Sequence, residues 1–410
     1  MSVDAPEPSL WKNRDFNVFW LGQTLSGLGD AFAMIAIPLL VLKATGSLHR
    51  MGTLTALVSV AHVIAGLTSG TLVDRVDRRR LMIACDLGRW AVYSAVPVVW
   101  WLHGPGYELL VVVGCVGALL GNIFQVAAIT AVANLVPRSR LIDANGRMHG
   151  SYAVMMFVGP MLAGEVCQRF GPTTALAIDC ASYLVSAASL WLVRARFEGV
   201  EAREQVGVFA GFVAGLRFLW SIPVLRAVTV LLGLSSLILA GRENLLIYYI
   251  KRELGRDDRA VGQMFALAAL GAVLGALTAP AMRSRWGFAM CWLGAGVLMG
   301  IAMAGVGLTG SLIVLAGLAM AVAFGEAVRG INTMTLRQEI TPDRLLGRVT
   351  ASFWALLTVP SALGAELNAR LAERFGVQHV VIWLGVMLTA LMVVGALSPL
   401  RRPVTPAKDA

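Results

Sequence analysis

The chain has 410 residues, 57% of them hydrophobic and 14% charged, with a mean hydropathy of +0.73. That is far too apolar for a soluble globular protein and reads as an integral membrane protein. The net charge of +10 is read as membrane topology rather than nucleic-acid binding.

A bilayer core about 30 Å thick takes about 20 apolar residues per helix. Stretches at 16–42, 51–73, 81–102, 107–135, 144–167, 172–194, 223–250, 259–282, 288–308, 311–335, 345–370 and 377–399 qualify, which predicts twelve spans. They are continuously apolar and rich in Gly, Ala and Leu, without the alternation of a membrane β-barrel. The first follows Lys12 and Arg14, exceeds a signal-peptide core and lacks a small-residue cleavage site, so it is expected to stay as a membrane helix. Arg75, Arg78, Arg79, Arg80, Arg138, Arg140, Arg283, Arg285, Arg344 and Arg348 gather on the side of the amino terminus. Fewer basic residues, among them Lys43, Arg50, Arg169 and Lys251, fall on the other. The positive-inside rule then predicts both termini on the cytoplasmic side. Cys85, Cys115, Cys167, Cys180 and Cys291 are scattered, with no CxxC pair or metal-ligand spacing, and read as small apolar residues.

The longest polar connector, ARFEGVEAREQVG at 195–207, is followed by FAGFVAGLRFLWSIP. In the latter, Phe209, Phe212, Val213, Leu216, Leu219 and Trp220 share a helical face, predicting an interfacial amphipathic helix. The expected organisation is a six-helix bundle over 1–194, a cytoplasmic linker over 195–222, a second six-helix bundle over 223–400 and a cytoplasmic tail over 401–410. The two bundles echo one another. LVPRSRLIDANGR before span five answers EITPDRLLGRVTA before span eleven, Val158-Gly159-Pro160 answers Thr358-Val359-Pro360, and Phe170-Gly171 answers Phe375-Gly376. The predicted fold class is therefore an all-α integral membrane protein of two pseudo-symmetric six-helix bundles, and parallel repeats of this kind point to a transporter.

Between spans two and three, GTLVDRVDRRRLM carries Gly70, Asp74, Arg75, Arg78 and Arg79 in the G-x-L-x-D-R-x-G-R-R/K pattern, with Asp77 in place of its second Gly. It resembles the cytoplasmic gate motif of the major facilitator superfamily. That resemblance implies a latch between Asp74 and the start of span eleven near Leu345 to Val349. Gly146, Gly159, Pro160 and Gly164 in span five resemble the superfamily's antiporter motif, with Met155 and Ala163 at two of its glycine positions. The opening NRDFNVFWLGQTLSGLGDAFAMIAIPLLVLKATGS and the run GFVAGLRFLWSIPVLRAV resemble the bacterial exporter branch that includes the enterobactin exporter and the macrolide efflux proteins. The resemblance implies a monomer in a bacterial inner membrane, exporting a small organic molecule such as a drug or siderophore in exchange for protons. An uptake symporter and a non-transporting membrane sensor on the same fold are the alternatives.

No phosphate-binding G-x4-G-K-S/T loop occurs, so ATP hydrolysis is not expected, and no cofactor, metal ion or enzymatic chemistry is implied. Ionisable groups inside spans are costly and therefore candidate sites. Asp30 in span one, with no basic residue one turn away, ranks first for proton or substrate. Glu326 and Arg329 in span ten are spaced to neutralise each other. Arg242 and Glu243 in span seven point about 100° apart, which calls for separate partners. Asp86 with Arg89, and Glu165 with Arg169, read as peripheral structural pairs. His62, Asn122, Gln125, Asp179 and Glu366 rank lower, and span four lacks the buried arginine usual in the superfamily's drug–proton antiporters.

Overall fold

The structure is a computed structural model that describes residues 10–104, 106–195, 208–398 and 400. Among these residues there is no strand. In lipid, where no water meets exposed backbone, a helix that satisfies its own N–H and C=O groups is the available solution for such apolar runs. The first spans are α1 (Arg14–Thr45), α2 (Leu48–Arg75), α3 (Arg78–His103), α4 (Tyr107–Leu135), α5 (Leu141–Phe170) and α6 (Pro172–Leu192). The linker helix α7 (Val208–Ser221) leads into α8 (Pro223–Leu239) and α9 (Arg242–Tyr248), with a π turn at Tyr249–Glu253. Then follow α10 (Asp258–Val306), α11 (Leu312–Ile340), α12 (Asp343–Phe375) and α13 (Val377–Gly395).

This is a twelve-span helical membrane fold. Ten helices among the described residues are long and apolar enough to cross a bilayer. One of them, α10, holds two spans, because Gly287 takes φ 73°, ψ 170° and turns the chain there. The remaining span is α12, whose C-terminal half carries Glu366, Arg370, Glu373 and Arg374 and is correspondingly less apolar.

Two compact units pack within themselves, one of residues 1–40 and 64–205, the other of 41–63 and 206–410. The first has a core of Phe16, Phe19, Met82, Cys85, Phe124, Ala127, Ala131 and Leu190. There α1 and α5 approach closely, since a Cβ at Gly159 would run into that of Ala31, and Trp20 Nε1 donates to Ser151 Oγ at 2.8 Å. The second unit gathers Ala279, Ala295 and Val328 around Met282, Phe324 and Ile331. Small residues again set the spacing: a Cβ at Gly271 or Gly275 of α10 would strike the α11 carbonyls of Met320 or Phe324.

The repeat has a backbone counterpart. Gly171 ends α5 at φ 87°, ψ 155° and caps α6, and Gly376 ends α12 at φ 86°, ψ 143° and caps α13. Both use the left-handed region that glycine enters without a steric penalty.

In α7 Gly215 lies against Arg348 and Ser352 of α12 and Leu219 is buried, while Trp220 is exposed. Phe209 lies outside the described side chains. One expectation is corrected: the seventh span is broken. Gly241 sits at φ 72°, ψ 7° between α8 and α9, so the carbonyls that end α8 lose their helical partners. Asn368 of α12, itself buried, satisfies them: its Nδ2 lies 3.2 Å from Leu237 O, 3.1 Å from Ile238 O and 3.0 Å from Ala240 O.

Candidate functional site

Two constellations of membrane-embedded charge stand out, one in each unit. In the first, α1, α3 and α6 converge on Arg89. Asp86 and Arg89 lie one turn apart on α3 and form an ion pair, Asp86 being fully buried and Arg89 nearly so. Across from them, Asp30 Oδ1 of α1 lies 3.9 Å from Arg89 Nη1 and accepts a 3.2 Å hydrogen bond from Tyr183 Oη of α6. The guanidinium sits 4.3 Å from the Tyr183 ring centroid and 4.8 Å from that of Phe124, a cation–π cage that holds it in place. Tyr93 packs edge-on against Tyr183 at 5.7 Å. Asp179, one turn before Tyr183, is fully buried, and neither of its carboxylate oxygens has a hydrogen-bond partner among the described residues. The Asp30 side chain is 52% exposed. One carboxylate is therefore open, one is closed on the cation, and a third is buried without a hydrogen-bond partner among the described residues.

This arrangement alters the sequence reading in two ways. Asp30, which has no basic neighbour on its own helix, gains Arg89 from another. Asp86 and Arg89, expected to be peripheral, are central. A buried arginine is present after all, supplied by α3 rather than by α4. The spacing 86, 89, 93 on α3 and 179, 183 on α6 was the available signal, because it places each set on one helix face.

In the second unit a cavity of about 630 Å³ is lined mainly by α8, α9, α11 and α12, with Thr55 of α2 and Met299 of α10. Arg242, at the start of α9, pairs with Glu326 Oε2 at 2.6 Å and with Glu243 Oε1 at 2.9 Å. Both expected pairings change: Glu326 reaches across to α9 instead of along α11, and Arg242 and Glu243 share an ion pair although they are sequence neighbours. Arg329 turns the other way. Its Nη2 donates to Ser235 Oγ at 3.1 Å, and its guanidinium lies 4.3 Å from the Trp292 ring centroid. Elsewhere in this unit Glu366 accepts from Thr53 Oγ1 at 2.7 Å and Arg370 Nε at 2.7 Å and faces His49 Nδ1 at 3.2 Å, so it ties α2 to α12.

The motif between α2 and α3 resolves in part. Asp77 is the N-cap of α3, its Oδ1 accepting from Arg80 N at 2.8 Å, so an aspartate at the motif's glycine position serves the helix that follows it. Arg79 donates to the carbonyls of Leu190, at 2.8 Å, and Trp191, placing a cation on the C-terminus of α6 where the helix dipole favours it. Arg78 is buried. Gly70 and the side chains of Asp74 and Arg75 lie outside what the structure describes. In the span-five motif Gly159 makes the close approach to α1, Pro160 lies inside α5 and Gly164 is buried, whereas Gly146 meets nothing within 4 Å.

Residues 19–365 match the family described as Major Facilitator Superfamily. The chain belongs to that family. This facilitator is 26% identical over 384 residues to the multidrug efflux pump Tap of Mycolicibacterium fortuitum, covering 91% of this chain and 93% of that one. It is 23% identical over 412 residues to macrolide efflux protein A of Streptococcus pyogenes, covering 94% and 95%. Its fold is that of the nucleoside transporter NupG, with a TM-score of 0.79 at 11% identity over 94% of this chain and 99% of that one. As a facilitator it is a multi-pass membrane transporter of small molecules, not an enzyme.

Proposed function

We propose that the protein is a proton-driven exporter of small organic molecules in a bacterial inner membrane, working as a monomer with both termini cytoplasmic. The observation that carries this reading is the cluster of Asp30 and Asp86 on Arg89, with Asp179 buried one turn before Tyr183. Asp30 and Asp86 pair with one guanidinium, and Asp179 is buried one turn from Tyr183 with no hydrogen-bond partner among the described residues; this would leave two negative charges uncompensated in the membrane, an arrangement relieved by holding protons. Asp30, the open member, exchanges its proton with water, while Arg89 and Tyr183 decide how tightly its anion is held. The cavity beside Arg242, Glu243, Glu326 and Arg329 is the cargo site, and its size suits a drug-like molecule. Export is favoured over uptake by the efflux activities named for both relatives. Gly70, Asp74, Arg75, Arg78 and Arg79 form the cytoplasmic latch, and Gly146, Gly159, Pro160 and Gly164 shape the span-five contact with α1.

Alternating access requires proton and cargo to bind the two states unequally. The test is flux in inverted vesicles, with a macrolide and a panel of other drugs as probes and collapse of the pH gradient as the switch. Gradient-dependent uptake into the vesicles is expected, and Asp30→Asn is expected to abolish it without loss of expression. Flux that ignores the gradient, or an unimpaired Asp30→Asn protein, would overturn proton coupling.

A further inference from the structure

We infer that the cavity of the second unit is built for an organic anion: a carboxylate or phosphate group on an apolar body. This rests on the cavity being the cargo site and specifies what it takes. The cavity wall carries three cations, Arg242, Arg329 and Arg337, against two carboxylates, Glu243 and Glu326. Both carboxylates are engaged by Arg242. Arg329 and Arg337 are each only 3% exposed, and among the described residues no carboxylate lies within ion-pair distance of either.

Their hydrogen-bonding groups are left over too. Arg329 Nε has no partner, and neither do Arg337 Nε and Nη1. What they do touch carries no charge: Arg329 lies on Trp292 and donates to the Ser235 hydroxyl at 3.1 Å, and Arg337 lies 4.4 Å from the Phe353 ring centroid and donates to Met334 Sδ at 3.1 Å. Burying a guanidinium without a counter-charge is expensive, and its planar fork of N–H donors is shaped for a carboxylate or phosphate. The surplus of one positive charge matches one anionic group. Eight residues apart on α11, the two arginines are separated by about 12 Å of helix. Arg329 is accordingly assigned the anion at the deep end, and Arg337 a second station along the same wall. Met299, Phe353, Trp354 and Leu357 supply the apolar surface for the rest of the molecule.

The test uses the purified full-length protein in neutral detergent, with 2-naphthoate and its uncharged counterpart 2-naphthamide as probes in titration calorimetry. At least tenfold tighter binding of 2-naphthoate is expected. Arg329→Gln should bring 2-naphthoate down to the affinity of the amide, and Arg329→Lys should restore part of the difference. Equal affinity of the two probes for the unmodified protein, or unchanged 2-naphthoate binding by Arg329→Gln, would overturn the inference. If Arg329→Gln does not yield a monodisperse protein, Arg337→Gln and the comparison of probes on the unmodified protein decide it. Phosphatidylglycerol added to the same micelles separates the sources of anion. Tenfold weakening of 2-naphthoate would assign the site to a lipid headgroup and overturn a soluble cargo, whereas no effect supports one. Preferential anion binding without proton-linked flux would keep this inference and sink the exporter. Proton-linked flux of neutral drugs with no anion preference would do the reverse.

Discussion

Replacing Asn368 tests how the break in the seventh span is held. A span interrupted at membrane depth exposes backbone carbonyls that lipid cannot solvate. Asn368 Nδ2 faces three of them, those of Leu237, Ile238 and Ala240. An amide has two N–H groups, so two bonds are fully made and the third acceptor shares. Interhelical hydrogen bonds in membranes contribute about 0.6 kcal/mol on average and up to about 1.7. A buried acceptor left unmade costs about 1–3 kcal/mol. Asn368→Leu should therefore destabilise the protein by about 2–4 kcal/mol. Asn368→Asp, similar in shape but an acceptor when ionised, should be worse than Leu because it points an anion at three carbonyl oxygens. The assay is detergent-titrated unfolding of the purified protein. Turnover should fall alongside stability, since Arg242 begins the helix that restarts at this break. A Leu variant within about 0.5 kcal/mol of the parent, or an Asp variant as stable as Asn, would refute the assignment of Asn368 as donor.

Arg89→Gln should abolish proton-linked flux and, by stranding buried carboxylates, cost about 3–5 kcal/mol in the same unfolding assay; flux comparable with the parent would remove Arg89 from the coupling cluster. Asp77→Ala should cost about 1 kcal/mol through loss of the α3 N-cap, and Asp77→Gly only a few tenths. If Asp77→Gly instead proved the more damaging, capping would not explain the aspartate. Gly275→Leu should disrupt the seam between α10 and α11, because its side chain would enter the Phe324 carbonyl; a monodisperse, fully active variant would contradict that packing.

Much of the architecture was legible because a bilayer imposes length and polarity on every span. The fourth span runs from Tyr107 to Leu135 as its apolar run predicts, and the sixth ends within two residues of expectation. What escaped was the break in LILAGREN, since one glycine in an apolar run has many uses and its cost is met by Asn368, far away in sequence. Charge partners escaped for a related reason. Spacing along one helix paired Glu326 with Arg329 and left Asp30 alone, whereas packing gave Glu326 to Arg242 and Asp30 to Arg89. That no carboxylate among the described residues pairs with Arg329 or Arg337 has no sequence signature at all, because it is a property of what does not come near them.

The cluster at Arg89 has two kinds of member, and the difference has a mechanical side. Asp86, Arg89, Asp179 and Tyr183 ride on α3 and α6, which are fastened together where Arg79 holds the last carbonyls of α6. Asp30 rides on α1. That helix contains Pro38, which withdraws one backbone hydrogen bond, and passes from one compact unit to the other two residues later, at Leu40. A bend is cheapest there. The pair α3–α6 thus holds Arg89 from one side, while Asp30 meets it at 3.9 Å from a helix whose own hydrogen-bond ladder is interrupted about two turns further on.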